Sequence, residues 1–143
     1  MRVVGDKQRG AIRPEFDRSI SIDFQGAKIT PDTGFLLMIE IDQRFNILGC
    51  AASQINDPRS VRHTDHSLLQ LLRQRVYQVA AGYEDCLKVG PGLRLALGKE
   101  HESGAGQSAL CRFENNILAT QQGLKAFEDG LSRSADTLLR RRN

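Results

Sequence analysis

The spacing of apolar side chains predicts a chain built mostly from helices. Between residues 35 and 48 apolar side chains recur every three or four positions, and Gly49 is expected to end that helix. The expected buried stripe consists of Leu37, Ile41, Phe45 and Leu48. On the same helix Glu40 and Arg44 stand four positions apart, a spacing that favours an ion pair.

A second predicted helix, residues 68–81, has the clearest boundaries. Ser67 and Gln70 have the spacing of a capping box, and Gly82 is expected to end the helix. The expected buried stripe consists of Leu68, Leu69, Leu72, Val76, Val79 and Ala80. The opposite face, expected to meet water, carries Gln70, Arg73, Gln74 and Gln78.

Two more helices are predicted in the C-terminal third, over residues 108–118 and about 120–141. The apolar positions of the second are Leu124, Phe127, Leu131, Ala135 and Leu138. Gly123 and Gly130 are expected to weaken it by roughly 1 kcal/mol each relative to Ala. Between residues 87 and 107 the chain is rich in glycine, and only residues 93–97 have the pattern of a helical turn.

The N-terminal segment predicts a different structure. Residues 1–16 mix charged residues with Gly and Pro without a period, which is typical of a flexible arm. Residues 19–24 alternate polar and apolar side chains, Gln25 and Gly26 follow as a turn, and residues 27–30 return. The predicted fold class is therefore mainly α, with one small N-terminal β-hairpin, in a single helical region over residues 17–143.

Composition narrows the function classes. The 143 residues include 20 basic and 17 acidic side chains, a net charge of +3, and residues 133–143 hold four arginines against one aspartate. No apolar run reaches the roughly 18–20 residues that a membrane span needs, and the N-terminus lacks the apolar stretch of a secretory signal. Three cysteines without paired spacing argue against a disulfide framework or a zinc ribbon. These features predict a cytoplasmic protein without membrane contacts.

Residues that resemble catalytic or metal-binding groups have simpler interpretations. Asp23 alternates with the apolar residues of the predicted strand and is expected to face water. His63 and His66 are spaced to hold a metal only if a third ligand joins them. Cys86 follows two acidic residues, whose negative charge disfavours the thiolate that a nucleophile needs. We therefore predict no catalytic residue and no metal ligand in this chain.

Basic side chains remain the strongest functional signal. A short helix, a turn and an amphipathic helix can dock on DNA phosphates, although the spacing alone is also that of a solvated polar face. The candidate DNA contacts are Arg59, Arg62, Arg73, Arg75, Arg140, Arg141 and Arg142.

Three stretches resemble the N-terminal part of bacterial insertion-sequence transposases of the DDE type (DDE group 1). Residues 29–42 (ITPDTGFLLMIEID) are similar to the family pattern TSDGGLLLLRELD, with Ile39 in place of the usual Arg. Residues 66–85 (HSLLQLLRQRVYQVAAGYED) give the most specific match. Residues 107–116 (QSALCRFENN) are similar to the signature QPTLSRFEN. After Asp85 the chain departs from the family pattern, because Cys86 leads directly into LKVGP.

The resemblance implies the helical, pre-catalytic portion of a truncated transposase. In the family, the first catalytic Asp follows the region that matches residues 140–142, so no catalytic residue is carried over. The RNase H-like catalytic domain is expected to be absent, the chain alone is expected not to be an enzyme, and Mg²⁺ is implied only for that domain.

The resemblance also implies a role in DNA transposition. The expected activities are DNA binding, at transposon ends or without sequence specificity, and assembly of the transposase complex, with possible self-association. Such a protein would associate with the bacterial nucleoid when bound to DNA. The alternative is a non-functional remnant or a helical protein-interaction module that does not bind DNA.

Overall fold

The computed structural model describes residues 11, 13–21, 33–83 and 104–142, and every regular element in these ranges is helical. The prediction of a mainly α fold is confirmed. The predicted hairpin stays a prediction, because residues 22–30, and with them Asp23, lie outside the described residues. The first residues of the predicted strand, 19–21, leave a turn closed by a hydrogen bond of 3.2 Å from the Ile20 N–H to the Asp17 carbonyl. Cys86 and the predicted helical turn at residues 93–97 also lie outside the described residues.

The first predicted helix is two helices, α1 (Thr33–Phe45) and α2 (Ile47–Gln54). The chain breaks at Asn46, whose φ of 51° lies in the left-handed region that asparagine tolerates better than most residues. The prediction that Gly49 ends the helix was wrong. Gly49 lies inside α2, where a Cβ atom would overlap the Asn46 side chain.

The buried face of α1 also differs from the predicted one. Phe35, Leu36 and Ile39 are buried, whereas Ile41 in the expected stripe is 50% exposed. Apolar side chains of α1 itself occupy most of the circumference of the helix. The spacing of these residues is therefore compatible with more than one buried face. The expected ion pair between Glu40 and Arg44 does not form. Instead, Glu40 Oε2 accepts hydrogen bonds from the backbone N–H groups of residues 15 and 16, over 2.8 and 3.4 Å.

Helix α3 (Leu68–Ala80) has the boundaries that the sequence predicts. Both bonds of the capping box are present: the Ser67 N–H donates to Gln70 Oε1 over 2.8 Å and the Gln70 N–H donates to Ser67 Oγ over 3.2 Å. At the C-terminus Gly82 has a φ of 79°, and the Tyr83 N–H donates to the Gln78 carbonyl over 2.9 Å. This is a Schellman end, which needs a left-handed residue that Gly supplies without strain.

The orientation of α3 differs from the prediction. Gln74 is 2% exposed and Gln78 is fully buried, whereas Val79 is 58% exposed. The Gln74 side-chain amide pairs with the backbone of Ala105: its Nε2 donates to the carbonyl over 3.0 Å and its Oε1 accepts from the N–H over 2.8 Å. Because these two hydrogen bonds satisfy the amide, Gln74 can be buried at a position that the sequence pattern predicts to be exposed to solvent.

The C-terminal helices confirm the predicted positions. Helix α4 (Gln107–Phe113) continues into a π-helical segment (Glu114–Leu118), and α5 (Gln121–Arg142) follows. The predicted stripe of α5 is only partly covered, since Leu124 and Ala135 are exposed.

Small residues bring α5 close to α2. A Cβ atom on Gly130 would overlap Ala51 Cα and lie 3.0 Å from its nitrogen, and Ser134 Oγ lies 3.2 Å from the Ile47 carbonyl oxygen. Gly130 is therefore a close-packing position, which the helix propensity of glycine does not reveal.

The core is shared by α1 to α4 and the π segment. Its buried apolar residues are Phe35, Leu36, Ile39, Leu48, Ala51, Ile55, Leu68, Leu71, Leu72, Tyr77, Ala105, Leu110, Phe113 and Ile117. Within the described ranges, no helix is both long and apolar enough to cross a membrane.

Candidate nucleic-acid interface

A buried carboxylate fixes the position of Arg73. Asp42 on α1 is 4% exposed and accepts hydrogen bonds from the Leu48 N–H, the Tyr77 hydroxyl and Arg73 Nε, over 2.7, 2.7 and 2.8 Å. Burial, and then the hydrogen bond to Asp42, raises the pKa of Tyr77 far above its usual value. Arg73 therefore neutralises an internal charge and ties α3 to α1.

Arg75 makes a second internal ion pair. Its Nε lies 3.1 Å from Glu114 Oε2, and its Nη2 donates to Glu114 Oε1 over 3.2 Å. The Arg75 side chain is largely buried, so this pair joins α3 to the start of the π segment. The assignment of Arg73 and Arg75 as DNA contacts stays a prediction, and the fold gives each of them an acidic partner.

The remaining candidates lie at two places on the surface. Arg59 forms a two-pronged ion pair with Asp57, over 2.8 and 2.6 Å, and this bond holds the Asp57 pKa below its usual value. Arg62 is exposed on the 3₁₀ turn Val61–His63, and Arg140 and Arg141 are exposed at the end of α5. These three have no side-chain partner in the described part of the chain. The side chain of Arg142 lies outside the described residues.

The loop before α3 and the helix α4 enclose a cavity of about 410 Å³, which we name the basic cleft. Basic side chains line it, and they are Arg59, His63, His66 and Arg112. Arg112 was not among the sequence candidates, although it lies inside the third family-like stretch. Its Nε donates to the Ser108 carbonyl over 3.1 Å, one turn earlier on α4. Of the sequence candidates, the structure thus places Arg59 in this cleft.

Comparison with known proteins decides the family. A family model described as Transposase DDE domain group 1 matches residues 12–139. The chain belongs to this DDE transposase family. The match confirms the resemblance seen in the three sequence stretches and supports a role related to transposition. No curated protein matches, and no solved structure matches.

DDE transposases imply divalent metal ions held by acidic residues. In the ranges that the structure describes, no group of three or more His, Cys, Asp or Glu side chains could hold a metal ion. The exposed His63 and the half-buried His66 are therefore not joined by a third such ligand. The described residues do not fit a metal centre.

Proposed function

We propose that the helical part of this DDE transposase family member engages DNA and supports assembly of the transposition complex. The observation that carries the proposal is the division of its arginines into two groups. Arg73 and Arg75 are paired with the carboxylates of Asp42 and Glu114, whereas Arg62, Arg140 and Arg141 are exposed without an acidic partner in the described ranges. Phosphates can pair with the second group without disturbing the core.

The expected binding is electrostatic and modest. The whole chain has a net charge of only +3. Contacts of this kind give non-specific dissociation constants of about 10⁻⁴–10⁻⁶ M at physiological salt. Sequence preference for transposon ends needs contacts to base edges in addition to these phosphate contacts.

Fluorescence anisotropy with a labelled duplex tests the proposal. A variant that combines Arg62→Gln, Arg140→Gln and Arg141→Gln is expected to bind at least about tenfold more weakly at low salt, since each phosphate contact adds to the affinity. The matched control is Arg44→Gln, which removes one exposed positive charge from α1, where the guanidinium lies 5.9 Å from the Phe45 ring. Equal affinity of the triple variant and the wild type would contradict the proposal.

We also propose that the chain by itself neither cuts nor joins DNA. Two-metal phosphoryl transfer needs carboxylates that converge on one point, about 3.5–4 Å from metal to metal. Incubation with supercoiled plasmid and Mg²⁺ or Mn²⁺ is the test, and intact plasmid is the expected result. Nicking that disappears in Asp23→Ala would overturn this part of the proposal and would make Asp23 catalytic.

A second candidate function, a helical interaction module, rests on the exposed side of α1. Leu37, Met38, Ile41 and Phe45 lie on this helix and are 36–50% exposed. Sedimentation at several concentrations distinguishes the candidates. Self-association that Ile41→Glu abolishes, in a protein that binds no duplex, would favour the interaction module over DNA engagement.

A further inference from the structure

The basic cleft adjoins a second cavity with different chemistry. This second cavity, which we name the amide cleft, has a volume of about 550 Å³ and lies between the end of α2 and the start of α5. Pro58, Asn116 and Ile117 line both cavities, so the two clefts are adjacent. Each cleft lies within the roughly 300–1,000 Å³ that is typical of small-molecule sites.

The lining of the basic cleft combines arginine side chains with apolar side chains. Of the two arginines in its lining, Arg59 is already paired with Asp57, so Arg112 supplies the guanidinium that remains available; Asp65 is the acidic side chain among the described lining residues. The terminal Nη atoms of Arg112 have no partner in the described part of the chain, because only its Nε is bonded there. Leu71 and Phe113, both buried, are part of the lining. A phosphate group with an attached sugar fits such a mixture of cations and apolar surface.

Among the described residues, no charged side chain lines the amide cleft. Its polar side chains are mostly amides, namely Gln54, Asn56, Asn116, Gln121 and Gln122. Four of them are exposed and have no hydrogen bond to the described residues, Gln54 being bonded to Ser53. Each amide offers both donors and acceptors, which match the edges of a nucleobase. A phosphate therefore has no cationic side chain to pair with among the described lining residues, whereas an uncharged base can form hydrogen bonds with several amides.

We propose that the two clefts form one groove for an unpaired nucleotide, with its phosphate in the basic cleft and its base in the amide cleft. The available Arg112 guanidinium in one cavity and the uncharged amides of the other set this direction. In a duplex the base is stacked and paired, so only a nucleotide that is single-stranded or turned out of the helix can enter a cavity of this size. The proposal deepens the DNA engagement proposed above and rests on it, since it names the form of nucleic acid that the chain recognises.

Calorimetry with the full chain and three probes tests the groove: deoxyadenosine 5′-monophosphate, deoxyadenosine and inorganic phosphate. The monophosphate is expected to bind at least about tenfold more tightly than either fragment, because a charge-assisted contact and base contacts then act together. Arg112→Gln is expected to weaken the monophosphate about tenfold and leave deoxyadenosine unchanged. Arg112→Lys is expected to restore part of the loss, since it keeps the charge but not the forked geometry.

The amide half has its own variants and control. Gln121→Ala with Gln122→Ala is expected to weaken both deoxyadenosine and its monophosphate about fivefold and leave inorganic phosphate unchanged. Gln43→Ala, an exposed amide on α1 outside the groove, is the matched control and is expected to change nothing. A monophosphate bound no more tightly than phosphate alone, or Arg112→Gln with wild-type affinity, would overturn the groove.

The two proposals fail separately in this design. If the wild-type chain binds the monophosphate but no duplex, the DNA engagement at the exposed arginines is overturned and the groove remains as a nucleotide site. Duplex binding that depends on Arg140 and Arg141, without any monophosphate binding, would overturn the groove alone.

Discussion

Replacing Gln74 with Ala is expected to destabilise the fold strongly, although a polar residue on a helix is normally a tolerant position. Gln74 is 2% exposed and makes two hydrogen bonds to Ala105, whose own exposure is 4%. The substitution leaves a buried N–H and a buried carbonyl without partners, and each costs about 1–3 kcal/mol. The expected loss is therefore about 2–6 kcal/mol, a large part of the roughly 5–15 kcal/mol that stabilises a typical domain.

Urea unfolding followed by circular dichroism measures this loss. The matched control is Gln43→Ala, since Gln43 is exposed on α1 and its replacement is expected to change the free energy of unfolding by less than about 0.5 kcal/mol. Gln74→Met separates the contribution of the hydrogen bonds from that of side-chain packing, because methionine keeps the side-chain volume and removes both hydrogen bonds. If Gln74→Ala unfolds at the same urea concentration as Gln43→Ala, the two hydrogen bonds between Gln74 and Ala105 do not stabilise the fold.

Three further predictions concern packing and pH. Gly130→Ala is expected to lower stability by about 1–3 kcal/mol in thermal melts, because its Cβ would overlap α2, whereas Gly34→Ala meets open space and should be neutral or stabilising. Because the pKa of Tyr77 is raised in the fold, its stabilising contribution is present below about pH 10 and is lost as the pH rises further. Above about pH 10, Tyr77→Phe should therefore lose less stability with rising pH than the wild type. Since the pKa of Asp57 is lowered in the fold, its stabilising contribution is present above the ordinary aspartate pKa of 3.8 and lost at lower pH. Asp57→Asn should therefore flatten the dependence of stability on pH in that acidic range.

Helix boundaries could be predicted because their causes are local. Ser67 and Gln70 lie three residues apart, and Gly82 ends the same helix through bonds within five residues. Asn46 shows the limit of this reasoning. Both Asn46 and Gly49 can support a helix break, and the choice between them depends on packing around the break that the sequence does not display.

Buried faces and ion pairs could not be predicted, because their partners are distant in sequence. Gln74 pairs with Ala105, 31 residues away, and Arg75 pairs with Glu114, 39 residues away. An arginine with such a partner looks the same in the sequence as one that faces water. The candidate DNA contacts therefore divide into internal and exposed residues only when the helices are placed beside each other.

The salt dependence of duplex binding tests the central claim most directly. Affinity measured between about 50 and 200 mM salt should fall linearly with the logarithm of the salt concentration, because phosphate contacts release counterions. The slope should decrease by about one for each arginine replaced among Arg62, Arg140 and Arg141, and remain unchanged in Arg73→Gln if that variant folds. Binding that is insensitive to salt, or a slope that is the same without the three exposed arginines, would contradict the account.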